Sequence, residues 1–410
     1  MGNQDSEAKQ VAVLRRLPYP YQAMLAICSD LDETPDRQVY EESMRYLNTT
    51  QSTSMGEGVG LEVGNSMYFD MPPDQFAYWN TDDAGRDMVR NLIRSGHVDC
   101  FHSFGDHATT RRHAELALDE LDRHDCRMQV WIDHGTAPSN FGGDIMQGSG
   151  DVVGSAVYHA DLTCSFGVKY VWRGRVTSVI GQDVPRDFGG LWHGAHPVTS
   201  AKTVMKEFIK GCLATVGDQK YLMHGSNQVM QPIHLRSGQQ AWEFLRSNPH
   251  WGGVSSSETA EGLGDVLTEP MLTRLAERQG VCVLYTHLGK IRDRRQPFGQ
   301  NTRNALQRLA MHYRDGRILV TTTRRLLGYS RVLRELNVSS SRDASGPRID
   351  MKGPVRAGDL DGLTVYVKDA RHVRLFVNGS EISGLQRNAP DHSGVASVSI
   401  PWKRLEFPFA

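Results

Sequence analysis

The sequence has no run of about 20 apolar residues, the length a helix needs to cross a bilayer, so no spanning helix is expected. It also has no Cys-x-x-Cys pair. Its six cysteines, at positions 28, 100, 126, 164, 212 and 282, are scattered. That spacing argues against a thiolate zinc ribbon or a dithiol redox motif. Cys28, Cys100 and Cys282 lie inside apolar runs, where cysteine behaves as a small buried hydrophobe, and reduced thiols are expected. The first 20 residues are polar with scattered charge and lack the apolar core of a secretory leader, so a cytoplasmic location is expected. Net charge is nearly absent: 46 Lys and Arg face 47 Asp and Glu, for a balance of −1. No broad electrostatic footprint for nucleic acid follows from that balance.

What is present is an ordinary globular composition, 39% hydrophobic and 23% charged, in 410 residues, enough for one large and one small domain. Short apolar runs alternate with longer amphipathic segments. The runs predict strands at Ala23–Ser29, Leu61–Phe69, Val98–Phe101, Met128–Ile132, Val168–Trp172, Lys220–Met223, Val281–Tyr285 and Ile318–Val320. Between them the periodicity predicts helices at Arg37–Leu47, Ala84–Ser95, Thr109–His124, Lys202–Thr215, Gln239–Arg246, Val266–Arg278 and Thr302–Tyr313. This β-α alternation predicts an α/β fold with a largely parallel sheet. Seven or eight such units fit a (β/α) barrel, distorted or seven-stranded; a doubly wound open sheet is the alternative. After Leu336 the pattern changes to short alternating runs with Asn-Gly at 378–379. Residues 1–336 are therefore read as the barrel domain and 337–410 as a small all-β module built of hairpins.

Parallel α/β folds gather their chemistry at the C-terminal ends of the strands. Asp30 and Asp32 follow the first predicted strand. His102, Ser103, Asp106 and His107 follow Val98–Phe101, and Asp133 and His134 follow Met128–Ile132. Arg173 follows Val168–Trp172, His224 follows Lys220–Met223, and His287 closes Val281–Tyr285. A lone histidine after a strand is usually a satisfied surface residue. Four strands ending in histidine and one in Asp-x-Asp would bring these groups to one rim. Carboxylate and imidazole together suit zinc and similar divalent ions.

Three of these segments carry a resemblance. ICSDLDET resembles the first motif of the NodB-type polysaccharide deacetylases (carbohydrate esterase family four), FHSFGDH the second, and LYTHLG the fifth. The resemblance implies Asp30 as general base, Asp32 with His102 and His107 as metal ligands, and His287 as general acid. It implies a divalent metal, zinc being best suited, and removal of an acetyl or formyl group from the nitrogen of a sugar. His134, Arg173, Trp192 and His224 are candidate substrate-binding residues; Trp192 lies in LWHGAHP, where an aromatic ring beside histidines suits sugar stacking. The chain departs from the family in two places. The second motif is one residue longer, which leaves the third ligand open among His107, Asp106 and His134. The arginine motif that orients the base is missing, and WIDHGTAPSN stands in its place.

The same Asp-x-Asp also fits a haloacid-dehalogenase-type Mg²⁺ phosphatase with Asp30 as nucleophile, or a glycosyltransferase holding a metal and a nucleotide sugar. Both leave the histidines unexplained. A non-catalytic carbohydrate-binding protein on a decayed deacetylase scaffold is the third alternative. Without a secretory leader, the expected substrate is a lipid- or nucleotide-linked sugar used in surface-polysaccharide assembly.

Overall fold

The computed structural model describes residues 12–30, 33–135, 137–194, 196–248, 259–343 and 345–409. It is a mixed α/β structure whose larger unit, Ala23–Arg324 with Leu405–Ala410, is built on a curled, largely parallel sheet. In chain order its strands are β1 (Ala23–Ser29), β2 (Asn65–Met67), β3 (Val98–His102), β4 (Val130–Ile132), β5 (Tyr170–Trp172) and β6 (Val176–Thr177). They continue with β7 (Met230–His234), β8 (Gln240–Phe244), β9 (Arg246–Ser247), β10 (Val281–Thr286) and β11 (Ile318–Val320). Their spatial order is 7-8-5-4-3-2-1-10-9-6, with β11 beside the start of β1. Only the β7–β8 pair is antiparallel among these ladders.

Ten helices occur among the described residues: α1 (Arg37–Asn48), α2 (Asp83–Arg94), α3 (Arg111–Arg123), α4 (Ala160–Phe166), α5 (Pro197–Thr215), α6 (Leu222–Ser226), α7 (Leu263–Val266), α8 (Glu269–Arg278), α9 (Gln300–Arg314) and α10 (Thr323–Glu335). None is long and apolar enough to cross a membrane. Several begin where the sequence offers a cap: Asp36, Asp82, Thr110 and Thr268 each accept a backbone N–H from the first turn of α1, α2, α3 and α8. Such a cap stabilises a helix by about 1 kcal/mol.

The seven residues of β1 are all buried, as expected for a strand covered on both faces. Ala23, Leu25 and Ile27 join the main apolar core with Leu284 of β10 and Leu306 and Leu309 of α9. The alternate residues, Met24, Ala26 and Cys28, point to the opposite face, and Asp30 continues that series. The period-2 alternation thus sorts β1 into a hydrophobic face and a face that leads to the chemistry.

Two predicted elements are corrected. Lys220–Met223 is not a strand: the Asp218 carboxylate accepts the Lys220 N–H, a 3₁₀ turn follows at Gln219–Tyr221, and the chain enters α6. His224 is therefore a helical residue, not the end of a strand. Gln239–Arg246 is not a helix. Its apolar residues Ala241, Phe244 and Leu245 have helical spacing, yet the Trp242 N–H donates to the Lys169 carbonyl and the segment forms β8 and β9. Tertiary pairing overrides local periodicity here. The structure also adds α4, α6, α7, α10 and β7, which the pattern does not suggest.

The smaller unit comprises the described part of Met1–Gln22 and Arg325–Arg404. It holds two four-stranded sheets. One contains Asn337–Asp343, Gly346–Lys352, Arg374–Val377 and Ser380–Glu381, and the other Val13–Arg15, Thr364–Tyr366, Ser397–Ser399 and Gln386–Asn388. Ile349, Met351, Leu363, Val365, Leu375 and Val398 form its core. Asn378 and Gly379, both at positive φ, make the turn that pairs Phe376 with Glu381. The sequence pattern places the boundary after residue 336, whereas this unit reaches back to Arg325 and includes Val13–Arg15.

Candidate functional site

Asp30 stands at the end of β1, where its N–H donates to the Thr286 carbonyl at the end of β10. The next turn is tied back by Leu288, whose N–H donates to the Ser29 hydroxyl at 3.0 Å. These two bonds place His287 beside Asp30, with Nε2 at 3.5 Å from Oδ2. From β3, Nδ1 of His102 lies 3.8 Å from Oδ1. Asp30, His102 and His287 are all buried.

Among the described residues, a close side-chain partner of Asp30 is one that the sequence pattern does not reveal. Arg246, at the start of β9, donates from Nη2 to Oδ1 at 2.7 Å and from Nη1 to Oδ2 at 3.3 Å. Its guanidinium packs against two adjoining rings, 4.3 Å from the centroid of Trp172 and 4.6 Å from that of Tyr285. Its Nε and Nη2 also reach Cys28 Sγ, at 3.2 and 3.1 Å. Burial opposes the charge on Arg246, but Asp30 and Cys28 outweigh it, so the guanidinium holds its proton well above the ordinary arginine value. Burial also pushes the Cys28 thiol up, while a hydrogen bond with Cys100 and the Arg246 charge bring it below its usual value. The one sequence sign of Arg246 is a cation inside the apolar run AWEFLRS, which becomes informative only when that run is a strand.

The residues after β3 show why the longer second motif matters. Ser103 has φ 49° and Gly105 φ 102°, so the backbone takes positive φ twice within three residues and bends. A Cβ on Gly105 would collide with the Asp70 carbonyl oxygen, so the turn needs glycine. The outcome is that Asp106, not His107, meets the next strand: its Oδ1 is 3.1 Å from Nδ1 of His134. The His134 and His102 rings lie 4.7 Å apart, and Tyr68 stacks on His102 at 4.6 Å. His107 has a side chain 55% exposed, against 3% for His102, and its nearest carboxylate is Asp70 at 3.9 Å. The structure thus brings Asp30, His102, His134 and His287 together and sets His107 apart. Asp32 lies outside the described residues.

The remaining candidates are engaged elsewhere or face solvent. Arg173 donates from Nε to Glu243 at 2.9 Å. His224 is buried with Nδ1 at 3.8 Å from Glu207. Trp192 is exposed. Asp133 is structural: it accepts from Trp131 Nε1 and from the Phe141 and Gly142 N–H groups, which folds the loop after β4, and burial pushes its carboxyl up to about 7.

No family model matches this chain, and no curated protein is significantly similar to it.

A divalent ion can be tested against the donor set. Among the described residues no three metal-ligating side chains converge closely enough to form a cage by themselves. Two imidazoles from adjacent strands do meet, and the Asp106 carboxylate engages Nδ1 of one of them, the outer-shell pairing typical of metal-ligating histidines. The residue types fit a divalent ion.

Proposed function

We propose that this chain is a metal-dependent hydrolase that removes an N-acyl group, acetyl or formyl, from a sugar, as the resemblance to the polysaccharide deacetylases implies. The observation that carries the reading is Asp30, a buried carboxylate at a strand end, held by Arg246 and flanked by His102 and His287. The family's arginine motif is missing from the sequence, and Arg246 supplies the base-orienting cation from another strand. The scaffold is read as a distorted seven-stranded (β/α) barrel. β5 runs on into β6 and β8 into β9, and the pairings β8–β5 and β9–β6 support closure of the ring.

Asp32, His102 and His134 would hold the ion, with His134 using the ring nitrogen not engaged by Asp106. When bound, a divalent ion lowers the pKa of water from 15.7 to about 7 and polarises the acyl carbonyl. Asp30 takes the proton from the attacking water as the new C–O bond forms. Arg246 fixes the carboxylate's plane and neutralises its charge in the buried site. His287, protonated, gives its proton to the departing nitrogen as the C–N bond breaks, and so avoids expulsion of an amide anion. Tyr285, whose hydroxyl is 3.3 Å from Nε2 of His287, orients that ring.

A second reading has its own support. Both oxygens of Asp30 are engaged by Arg246, as they would be in a buried structural ion pair under a non-catalytic carbohydrate-binding surface. Metal content and acid release from a panel of N-acylated sugars, measured on the same preparation, separate the two. The hydrolase reading expects about one equivalent of zinc or a related metal, with release that Asp30→Asn abolishes while the metal stays. Unchanged release in Asp30→Asn removes Asp30 as the base. Sugar binding with neither metal nor hydrolysis establishes the alternative.

A further inference from the structure

Helix α5 is built inside out. Its buried positions are Ser200, Glu207, Gly211 and Ala214, which are small or polar. Its exposed positions include Val198, Met205, Phe208 and Ile209, and Val216 follows at its end; these five are between 49% and 79% exposed. With Trp192 just before the helix, they make six of the twelve large exposed hydrophobic residues among the described ones. Val198 and Val216 are five turns apart, so the apolar stripe runs about 27 Å along one side of the helix. This arrangement reverses the usual one, in which the apolar stripe faces the core.

The buried face explains why the helix can sit this way. Glu207 accepts from the Thr177 hydroxyl at 3.1 Å and from the Ser178 N–H at 3.2 Å, and Lys210 donates to Glu207 at 2.8 Å and to the Val176 carbonyl at 2.7 Å. These contacts fasten α5 to the end of β6 by polar groups and leave the apolar stripe with solvent. β6 pairs with β9, the strand that carries Arg246. The helix is therefore attached at the same end of the sheet as Asp30.

We infer that α5 is an interfacial helix that docks the protein on an anionic lipid bilayer. Two observations select this occupant. The exposed cations Lys202 and Lys206 flank the stripe on one side, and Glu207, the helix's one carboxylate, is buried against Lys210. An apolar stripe with a lysine edge and no exposed acid is the composition of a helix lying in the plane of an anionic membrane surface. The stripe is also small. It is a single helix face about 27 Å long and about 10 Å wide, narrower than the broad patch of about 20–30 residues a side that a stable protein interface uses. A stripe this narrow favours a lipid surface over a second copy of this chain. The inference does not depend on the hydrolase reading.

Vesicle flotation with the full chain tests it. Vesicles of phosphatidylcholine mixed with phosphatidylglycerol should carry the protein, and vesicles of phosphatidylcholine alone should carry much less. Phe208→Ser with Ile209→Ser should abolish flotation. Lys202→Gln with Lys206→Gln should lower partitioning about 25-fold, at about five-fold per lysine. All these positions are exposed, and unchanged circular dichroism would establish that the variants fold. Failure of the wild type to float with anionic vesicles overturns the inference, as does unchanged flotation of the serine variant. A wild-type dimer that the serine variant dissociates, without vesicle binding, would assign the stripe to a second copy instead.

Discussion

Arg246 and Asp30 define the chemistry at the scale of single residues. A buried charge is costly unless it is paired, and here each is the other's partner, with Trp172 and Tyr285 covering the guanidinium. Arg246→Met removes the cation that engages both oxygens of the buried Asp30 carboxylate and should lower stability by about 3–5 kcal/mol in urea unfolding. Arg246→Met combined with Asp30→Asn should cost much less than the sum of the two single changes, because no uncompensated charge remains. Simple additivity in that cycle would show that the pair is not coupled. The histidines give a second residue-scale prediction. His102→Ala and His134→Ala should each lose bound metal, while His107→Ala should retain it, as read by metal analysis of the purified proteins. Metal loss in His107→Ala alone would restore the ligand set that the family spacing implies. The sequence shows Asp30, His102 and His287 because each lies at or just past the end of a largely apolar run. It does not show His134 as the neighbour of His102, because the positive φ of Ser103 and Gly105 is a backbone feature that depends on the close approach of the Asp70 carbonyl.

At the scale of elements, the same stretch illustrates both success and failure of local pattern. β1 and β11 are legible to the residue, because a short apolar run covered on both faces has few alternatives. β8 is not, because Ala241, Phe244 and Leu245 keep the i, i+3, i+4 spacing of a helix. The choice is made by β5, which offers the Lys169 carbonyl and the Tyr170 partner. Misreading that one element hides Arg246. The anchoring of α5 gives a prediction with a defined sign. Burial pushes Glu207 up, but the neighbouring His224 imidazole and the charge of Lys210 outweigh it and bring the carboxyl down to about 2, from 4.5. A carboxyl depressed in the folded state contributes stability above its unfolded pKa and loses it as pH falls through the folded value. His224, depressed by burial, acts in the same direction, because the unfolded state takes up its proton first. Stability should therefore fall as pH drops from about 4.5 toward 2 with a Glu207 contribution that Glu207→Gln removes. Thermal melts of the two proteins across that range check it. Parallel slopes would mean that Glu207 is not the anchor.

At the scale of the whole molecule, the chain forms two compact units, and each draws on distant segments of sequence. The larger one ends its core with the last residues of the chain. The Leu405 N–H donates to the buried Glu62 carboxylate, and Phe407 packs edge-on against His97 at 5.2 Å. Removing the residues after Arg404 should therefore destabilise the larger unit by about 3–5 kcal/mol, the usual cost of losing a buried phenylalanine. Calorimetry of the shortened chain tests this, and an unchanged transition would show that the tail is dispensable. By itself the sequence determined the alternation of strands and helices, the strand that carries Asp30, and the histidines that end two others. These follow from side-chain polarity at fixed spacing, which is a local property. The tertiary structure alone decided that Arg246 holds Asp30, that His134 replaces His107 beside His102, and that α5 turns its apolar face to solvent. Each of those depends on which backbone groups a distant strand or loop presents.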